Sequence, residues 1–142
     1  MLLRVVGAPS ADLGAVPVEA KAWSLEEEVE DLAAFDIGLM PIPDDPWTRG
    51  KGGYKLLQYM AMGLPVVTSP VGINREIVAD GVSGFWADDE AAWEDCLARL
   101  IEDAALRRRM GLEGRAAVER GYALEGAAET LGRLLRGIGQ IP

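Results

Sequence analysis

The chain has 142 residues, of which 49% are apolar, so it can form one domain with a buried core and is too apolar for a disordered segment. Its net charge of −9 argues against a nucleic-acid-binding protein and against a basic membrane-surface module. The single cysteine, Cys96, is expected in the core or partly buried, and with the absence of histidine it excludes the usual zinc sites and a Ser–His–Asp triad. We expect neither a metal nor another cofactor.

The first part of the chain alternates predicted strands with a predicted helix. The strand candidates are apolar runs bounded by glycine or proline, and they span residues 1–7, 18–23 and 35–42. Between the last two, Ser24 and Glu27 have the spacing of a capping box and start a helix. The apolar residues of this helix, Leu25, Val29, Leu32 and Ala33, have helical spacing and form its predicted buried face. Its acidic residues predict a solvated opposite face. Asp44 and Asp45 then adjoin Pro46 and predict a turn rather than an acid–base pair.

A glycine-rich stretch with basic side chains follows, and the rest of the chain is organised around it. From residue 48 it reads TRGKGGYKLLQYMAMGLPVVTS. The apolar residues after the glycines have helical spacing, and the predicted buried face comprises Leu56, Leu57, Met60 and Ala61. Gly63 and Pro65 end this helix, Gly63 as a left-handed cap, and residues 66–69 then form a buried strand.

The start of this helix predicts an anion site. The first backbone N–H groups of a helix have no partner within it, and the helix dipole adds partial positive charge there. Arg49, Lys51 and Lys55 lie beside Gly52 and Gly53 in a chain that is otherwise acidic. The expected anion is phosphate, and the alternative interpretation is a solvated glycine-rich surface turn.

The second part of the chain predicts one more strand and several helices. Residues 70–73 form a second glycine-bearing turn, Asn74 caps a short helix over residues 74–78, and residues 80–84 form a tight turn before a last strand at 85–87. Three longer helices follow: one capped by Asp88 or Asp89, one capped by Asp103 with a break or bend near residues 111–114, and one over residues 122–135.

This alternation predicts an α/β fold: a Rossmann-like parallel sheet with helices on both faces and a C-terminal helical extension. Residues 1–142 contain no repeat and no linker, so they form a single predicted domain. Ligands of such sheets bind at the carboxyl ends of the strands. The glycine-rich loop follows the strand at 35–42, and the turn at 70–73 follows the strand at 66–69. We therefore expect both loops to converge on one crevice.

From about Trp23 to Tyr122 the chain resembles the C-terminal, donor-binding half of the glycogen-synthase-like glycosyltransferases, the large retaining GT-B group. The resemblance is carried by FDIGLMPI at 35–42, by KLLQYMAMGLPVV from residue 55 and by DGVSGF from residue 80. It implies one half of a GT-B fold that binds a nucleotide-sugar donor. By this resemblance we expect the family's N-terminal acceptor-binding domain to be absent from residues 1–142.

The resemblance also assigns roles to residues of the glycine-rich stretch. In the family, two glutamates eight residues apart contact the sugar and the ribose, and Gly50 and Gln58 occupy these positions here. Gln58 can still hydrogen-bond a ribose hydroxyl. Lys55 is expected to meet the diphosphate, with Lys51 beside it, and the amides of Gly53, Tyr54 and Lys55 would reach phosphate or sugar oxygens. The implied substrate-binding set is thus Arg49, Lys51, Gly52, Gly53, Tyr54, Lys55 and Gln58, while no catalytic residue is assigned.

Two functions follow as hypotheses. The first is the nucleotide-sugar-binding half of a retaining glycosyltransferase, which we expect to be inactive without its missing N-terminal domain. The second is a non-catalytic nucleotide-binding or protein-interaction module that keeps the fold. We expect no nucleic-acid partner, no membrane contact and a cytoplasmic location, since neither a signal peptide nor a bilayer-length apolar run is found. An exposed apolar patch near the ligand edge or along the C-terminal helix, with self-association to cover it, is also expected.

Overall fold

The computed structural model describes residues 1–8, 10, 12 and 14–138. The strands of this part, β1 to β5, are Leu3–Val6, Val18–Lys21, Gly38–Met40, Val66–Thr68 and Gly84–Trp86. Its helices, α1 to α7, are Glu28–Ala33, Pro46–Arg49, Tyr54–Ala61, Asn74–Ile77, Glu90–Glu102, Ala104–Gly121 and Leu124–Ile138. None of these helices is both long enough and apolar enough to cross a bilayer.

The strands form two parallel sheets, whereas the sequence predicts one. β1 pairs with β2, and the second sheet has the order β3–β4–β5. Among the described residues no strand pairing joins the two sheets. Strands must approach to about 4.8 Å to hydrogen-bond. Here a cleft is lined both by Arg4 and Val6 of β1 and by Phe35 and Tyr59, which lie next to the second sheet, so side chains rather than paired backbones occupy this space.

β4 is the centre of the core because its successive side chains point to opposite faces of the sheet. Val67 packs on one face in a cluster with side chains of β5, of the residue that follows it, of α5 and of α6, namely Phe85, Ala87, Cys96, Leu100, Leu106 and Met110. Val66 packs on the other face with Leu56, Met60, Ile77 and Val78. Helices therefore cover both faces of the second sheet, as predicted. Cys96 is buried as expected, and burial raises the pKa of its thiol, whereas Ala61, at the edge of the predicted apolar face of α3, is exposed.

α6 runs unbroken through Gly111 and Gly114, where the sequence predicts a break or bend. Both glycines face the end of α3. A Cβ atom on Gly111 would collide with the carbonyl oxygen of Gly63, and one on Gly114 would lie 3.3 Å from Met60 Cγ. The two glycines therefore allow close approach of α6 to the α3–β4 turn, and they do not end the helix. Gly63 itself has a φ of 73°, which confirms the predicted left-handed cap of α3.

The predicted N-caps of α5 and α6 are confirmed, and that of α1 is wrong. Asp89 and Asp103 cap α5 and α6 by accepting hydrogen bonds from backbone N–H groups of the first turn. Ser24 caps nothing, because its hydroxyl donates to Glu26 Oε2 at 2.8 Å and α1 begins only at Glu28, without a side-chain cap.

α1 also buries a different face from the predicted one. Leu32 is buried, but so is Asp31, whose Oδ1 lies 2.8 Å from Nζ of Lys21 on β2. The ion pair makes burial of the carboxylate tolerable. The acidic residues of this segment are therefore not all solvated, and the predicted core residues that are exposed instead are Leu25, Val29 and Ala33.

Candidate functional site

The loops that follow β3 and β4 meet at the carboxyl end of the second sheet, which confirms the predicted convergence. A Cβ atom on Gly72 would lie 2.6 Å from the carbonyl oxygen of Arg49, so the two backbones are in contact. Asn74 anchors the second loop, because its side-chain amide donates to Thr68 Oγ1 at 2.9 Å and to the Ser69 carbonyl at 3.1 Å. The prediction that Asn74 caps α4 is wrong, since its buried amide ties α4 to the end of β4.

A one-turn helix, α2, replaces part of the predicted turn after β3. Asp45 caps it, since Oδ1 accepts hydrogen bonds from the backbone N–H groups of Trp47 at 2.9 Å and Thr48 at 2.8 Å. The Thr48 hydroxyl accepts one from the Asp45 N–H at 3.2 Å and so completes a capping box. These donors, with the Thr48 amide as the largest cause, lower the pKa of the Asp45 carboxyl. Asp45 therefore shapes the approach to the glycine-rich stretch.

Arg49, one of the predicted site residues, is engaged by Asp44. Its Nε donates to Oδ1 at 2.6 Å and its Nη2 donates to Oδ2 at 3.0 Å, a bidentate pair. The guanidinium holds the pKa of the Asp44 carboxyl below its usual range. Because a bound anion would have to compete with this carboxylate, Arg49 belongs to the rim of the candidate site.

Acidification is expected to weaken the α2 segment. Asp44 and Asp45 have folded-state pKa values below the ordinary value of 3.8. Their contribution to stability is therefore complete above that value and is lost as the pH falls through the lower folded-state values. In Asp45→Asn the cap keeps an acceptor but cannot titrate, so its denaturant midpoint should fall less steeply between about pH 5 and pH 2 than that of the wild type. Circular dichroism at each pH measures this, with Asp88→Asn as a charge-matched control. Parallel curves for wild type and Asp45→Asn would contradict it.

α3 begins directly after Gly53, at the mouth of the crevice. Gly53 has a left-handed φ of 64°, and a Cβ atom there would collide with Ile77 and lie 3.3 Å from Ile73 Cγ2. Within the described chain, the backbone N–H groups of residues 52–55 donate no hydrogen bond. Four free amides at a helix start, with the dipole behind them, are suited to an anion.

Lys51 and Lys55 add ammonium groups close to these amides in sequence. Lys51 is exposed and lines a shallow depression with Trp47 and Gly50. The Lys55 side chain is 54% exposed, and its Nζ lies 3.9 Å from Glu28 Oε1. That distance is beyond hydrogen-bond range, so Lys55 is not held against the carboxylate and can turn towards an anion at the start of α3.

Gln58 lies one turn beyond Lys55 on the same side of α3. Its side chain lies near the Glu28 carboxylate and lowers the pKa of that carboxyl, as does Trp23 Nε1, which donates a hydrogen bond to Glu28 Oε1 at 3.1 Å. Gln58 Oε1 is buried and has no partner among the described residues. The amide oxygen could accept a hydrogen bond from a ligand hydroxyl only if the Gln58 side chain turned outward. The exposed ring of Tyr54 lies at the helix start.

Three residues that were not predicted as site residues line the cleft beside α3 together with Lys55. These are Trp23, Glu28 and Asp31. Asp31 Oδ2 is buried without a hydrogen-bond partner in the described ranges. The pattern that could have revealed the inward carboxylates is the helical spacing of Glu28, Asp31, Leu32 and Phe35. In the part of the chain that the structure covers, no group of three or more Cys, Asp or Glu side chains is arranged to hold a metal ion.

Comparison with known proteins identifies a sequence family. Residues 3–103 match the family model described as "Glycosyl transferases group 1". A curated D-inositol 3-phosphate glycosyltransferase of Corynebacterium urealyticum is 32% identical over 119 residues, which are 82% of this chain and 27% of that protein. The chain thus spans about a quarter of the length of this relative.

Solved structures of glycosyltransferases share the fold. Sucrose-phosphate synthase from Thermosynechococcus elongatus superposes with a TM-score of 0.75 at 25% identity, over 85% of this chain and 30% of that one. Anabaena Alr3699/HepE, in complex with UDP and glucose, superposes with a TM-score of 0.73 at 19% identity, over 84% of this chain and 32% of that one. These likenesses confirm the predicted α/β architecture with parallel strands, that of GT-B glycosyltransferases. Since the family model matches well over half of its residues, the chain belongs to the group 1 glycosyl transferase family.

Proposed function

We propose that this chain is the donor-binding half of a retaining glycosyltransferase and that it binds a nucleoside diphosphate sugar. The observation that carries the proposal is the row of amides at residues 52–55, which donate to nothing in the described chain and lie beside two lysines. Membership of the group 1 family makes a sugar nucleotide the anion to expect. The shared fold of HepE, whose solved complex contains UDP and glucose, supports the same ligand class.

Each predicted site residue then has a role. The backbone N–H groups of Gly53, Tyr54 and Lys55, with that of Gly52 next to them, donate to diphosphate oxygens. The ammonium groups of Lys51 and Lys55 neutralise the phosphate charge, in a chain whose net charge of −9 would otherwise repel it. Gln58 Oε1, which is buried without a partner in the described residues, accepts a hydrogen bond from a ribose hydroxyl when the side chain turns outward. Arg49 joins only when the anion draws it from Asp44.

In the intact enzyme, the bond between the sugar and the diphosphate breaks as the acceptor oxygen attacks the anomeric carbon. The electron pair of that bond passes to the departing diphosphate oxygen, which also takes the proton of the acceptor hydroxyl. Attack on the same face from which the diphosphate departs retains the configuration at the anomeric carbon. Fixed N–H groups and ammonium groups at this oxygen stabilise the developing charge more than the ground state, which is how such a site accelerates the reaction. We propose that the acceptor binds on a second domain, so the chain by itself is expected to bind the donor without transferring the sugar.

The test is isothermal calorimetry with UDP, GDP and ADP. For whichever nucleotide binds, Lys55→Ala should weaken the affinity by about tenfold, which corresponds to one charge-assisted contact of roughly 1.4 kcal/mol. Arg109→Ala is the matched control, because it removes one exposed positive charge from the outer side of α6 and should change the affinity less than about twofold.

The affinities for nucleoside mono- and diphosphates show whether Lys55 contacts phosphate. A site that hydrogen-bonds both phosphates binds UDP more tightly than UMP. The ratio of the two affinities should be smaller in Lys55→Ala, because the lost contact is to phosphate. Added salt should also weaken the wild type more than the variant. Equal UDP affinity in wild type and Lys55→Ala would refute the assigned role of Lys55.

One observation favours the alternative of a non-catalytic module. The family's two acidic positions hold Gly50 and Gln58, and the exposed Gly50 has no side chain with which to contact a sugar. A thermal-shift panel of nucleotide sugars and free nucleotides separates the possibilities. A higher melting temperature with a sugar nucleotide than with its diphosphate supports donor binding. A response to nucleotides without a sugar contribution, or no response, supports the module.

A further inference from the structure

The outer edge of β1 carries backbone groups that have no strand to pair with. Leu3 and Gly7 donate their N–H groups to the carbonyl oxygens of residues 17 and 21, at 3.0 and 2.8 Å. In a parallel pair, every second residue points its N–H and C=O groups to the same neighbour. The backbone groups of Arg4 and Val6 therefore point away from β2, and their N–H groups donate to no backbone carbonyl in the described residues.

β3 has an unpaired edge of the same kind. The Gly38 N–H donates to the Pro65 carbonyl at 2.9 Å. The Met40 carbonyl accepts a hydrogen bond from the Ser69 N–H at 3.2 Å, so both strand residues pair towards β4. Leu39 lies between them and points its N–H and C=O groups the other way. No strand of the described chain covers this edge, because β5 pairs on the far side of β4.

The two unpaired edges border the same cleft. Arg4 and Val6 of β1 line one side of it. Phe35, three residues before β3, and Tyr59 line the other side. Tyr59 lies directly against β3, because a Cβ atom on Gly38 would collide with its ring. The cleft thus separates β1 from β3, and the backbone groups that have no strand to pair with lie on either side of it.

β1 and β3 have the composition of interior strands and the burial of edge strands. Parallel sheets with helices on both faces bury their interior strands on both sides. All three residues of β4, which pairs on both edges, are buried. Every residue of β1 is only partly buried, although Leu3, Val5 and Val6 are apolar. In β3, Leu39 and Met40 are partly buried as well. Apolar side chains of both strands therefore lack a neighbour.

A buried polar atom in the cleft also lacks a partner. Asp31 is only 8% exposed. Its Oδ1 pairs with Lys21, whereas its Oδ2 has no hydrogen-bond partner in the described part of the chain. Because an unmatched buried acceptor is unfavourable, a hydroxyl or N–H donor is expected beside it once the cleft is filled.

We propose that one extended segment of the intact enzyme, from outside residues 1–142, lies between β1 and β3 as a strand and joins the two sheets into one. The strand is parallel to both, because every strand pairing in the described chain is parallel. Its backbone pairs with Arg4 and Val6 on one side and with Leu39 on the other. Its apolar side chains bury those of β1 and β3 on both faces of the completed sheet.

The enzyme itself is the source of the strand, because the relatives are much longer than this chain. The match covers 27% of the Corynebacterium urealyticum protein and 30% of the sucrose-phosphate synthase chain. A strand joined to the sheets by a short flexible linker has an effective concentration in the millimolar range, so it needs no high intrinsic affinity. This strand shares with the proposed function only the premise of a longer enzyme, and it is detected without a nucleotide.

A strand fused to the full 142-residue chain tests the proposal. The probe is the pentapeptide Val-Thr-Val-Thr-Val, placed before Met1 through a linker of about 12 glycine and serine residues, which spans roughly 19 Å and can run back along one strand. Its β-branched residues favour the extended state, and a threonine hydroxyl can donate to Asp31 Oδ2. The control carries proline in place of the central valine, because proline has no N–H to donate within a sheet.

Hydrogen exchange of individual amides, followed by nuclear magnetic resonance, measures the pairing. The amides of Arg4, Val6 and Leu39 should exchange at least about tenfold more slowly in the valine fusion than in the proline fusion. Amides of the exposed helix α7 should exchange at the same rate in both. The thermal midpoint of the valine fusion should also be about 3 °C higher than that of the control.

Three results would overturn the proposal. Equal exchange rates in the two fusions would mean that the cleft does not accept a strand. Protection of the same amides in the unfused chain that grows with protein concentration would mean that a second copy covers the edges. Protection of the unfused chain by the free pentapeptide at about 10 μM would identify a site for a separate polypeptide, since a linked strand needs no such affinity.

Discussion

Replacing Gly53 by alanine is expected to lower the free energy of unfolding by about 3 kcal/mol and to abolish measurable nucleotide binding. An L-residue at the left-handed φ of Gly53 costs roughly 1–2 kcal/mol. The added Cβ also meets the Ile77 side chain, which is 3% exposed and packed in the core, and Ile73 Cγ2 at 3.3 Å. Overpacking of this kind adds about 1–3 kcal/mol. Urea denaturation measures the loss of stability, and calorimetry measures the loss of binding.

The effect on binding follows from the position of Gly53 and is separable from stability. Relief of the collision requires the start of α3 to move away from α4, which displaces the free amides of residues 52–55. Binding should therefore be lost even at temperatures where Gly53→Ala remains folded. Gly52→Ala is the matched control, because a Cβ atom there has no heavy atom within 4 Å and needs no left-handed φ. A change below about 0.5 kcal/mol is expected for it, and equal losses at both positions would disprove the argument.

The local pattern of the sequence predicts most of the second sheet and its helices. β4 follows from a short apolar run and α3 from a helical stripe, and Gly63 separates the two. Both elements bury the centre of the predicted apolar face, including Val66, Leu56 and Met60, while Ala61 at its edge is exposed.

Asp89 and Asp103 are correct as caps because a cap depends on residues within one turn. The sequence around Asn74 is equally typical of a cap, yet its side-chain amide donates a hydrogen bond to Thr68 at the end of β4. No local pattern distinguishes these outcomes, since the competing acceptor comes from another element.

The predictions that fail depend on long-range packing. Gly111 and Gly114 look like a helix break until α6 is placed against Gly63. Asp31 looks solvated until β2 brings Lys21 within 2.8 Å of it. The division into two sheets also depends on long-range contacts, because the hydrophobic pattern of a strand does not determine which other strand it pairs with.

The sequence predicts where the backbone amides of the candidate site lie, and it predicts the contacts of the basic side chains less well. Glycines that precede a helix indicate free amides wherever they occur, so the placement of residues 52–55 follows from sequence. Whether a basic side chain is free to bind an anion depends on which carboxylates the fold places beside it. Arg49 forms a hydrogen-bonded ion pair with Asp44, whereas Nζ of Lys55 lies 3.9 Å from Oε1 of Glu28. This difference directs mutagenesis to Lys55 before Arg49.

Substituting alanine for Gly111 is expected to destabilise the domain by about 3 kcal/mol, although alanine is the better helix former by roughly 1 kcal/mol. The added Cβ would overlap the Gly63 carbonyl oxygen and lie 2.7 Å from the Gly63 carbonyl carbon. Both are backbone atoms, which cannot rotate away as the end of a side chain can. α6 must then withdraw from the α3–β4 turn, which opens the core around Met110, a residue that is 1% exposed. Urea denaturation monitored by circular dichroism measures the loss.

Two further glycines make the test specific to this contact. Gly114→Ala places a Cβ atom 3.3 Å from the Met60 side chain, which can adjust, so a loss of about 1 kcal/mol or less is expected. Gly126→Ala lies on exposed α7 with no heavy atom within 4 Å, and there the helix propensity of alanine should increase helicity. The expected order of stability is therefore Gly126→Ala above Gly114→Ala above Gly111→Ala. A Gly111→Ala variant as stable as the wild type would mean that α6 does not rest on the Gly63 backbone, and the close approach of α6 to α3 would have to be abandoned.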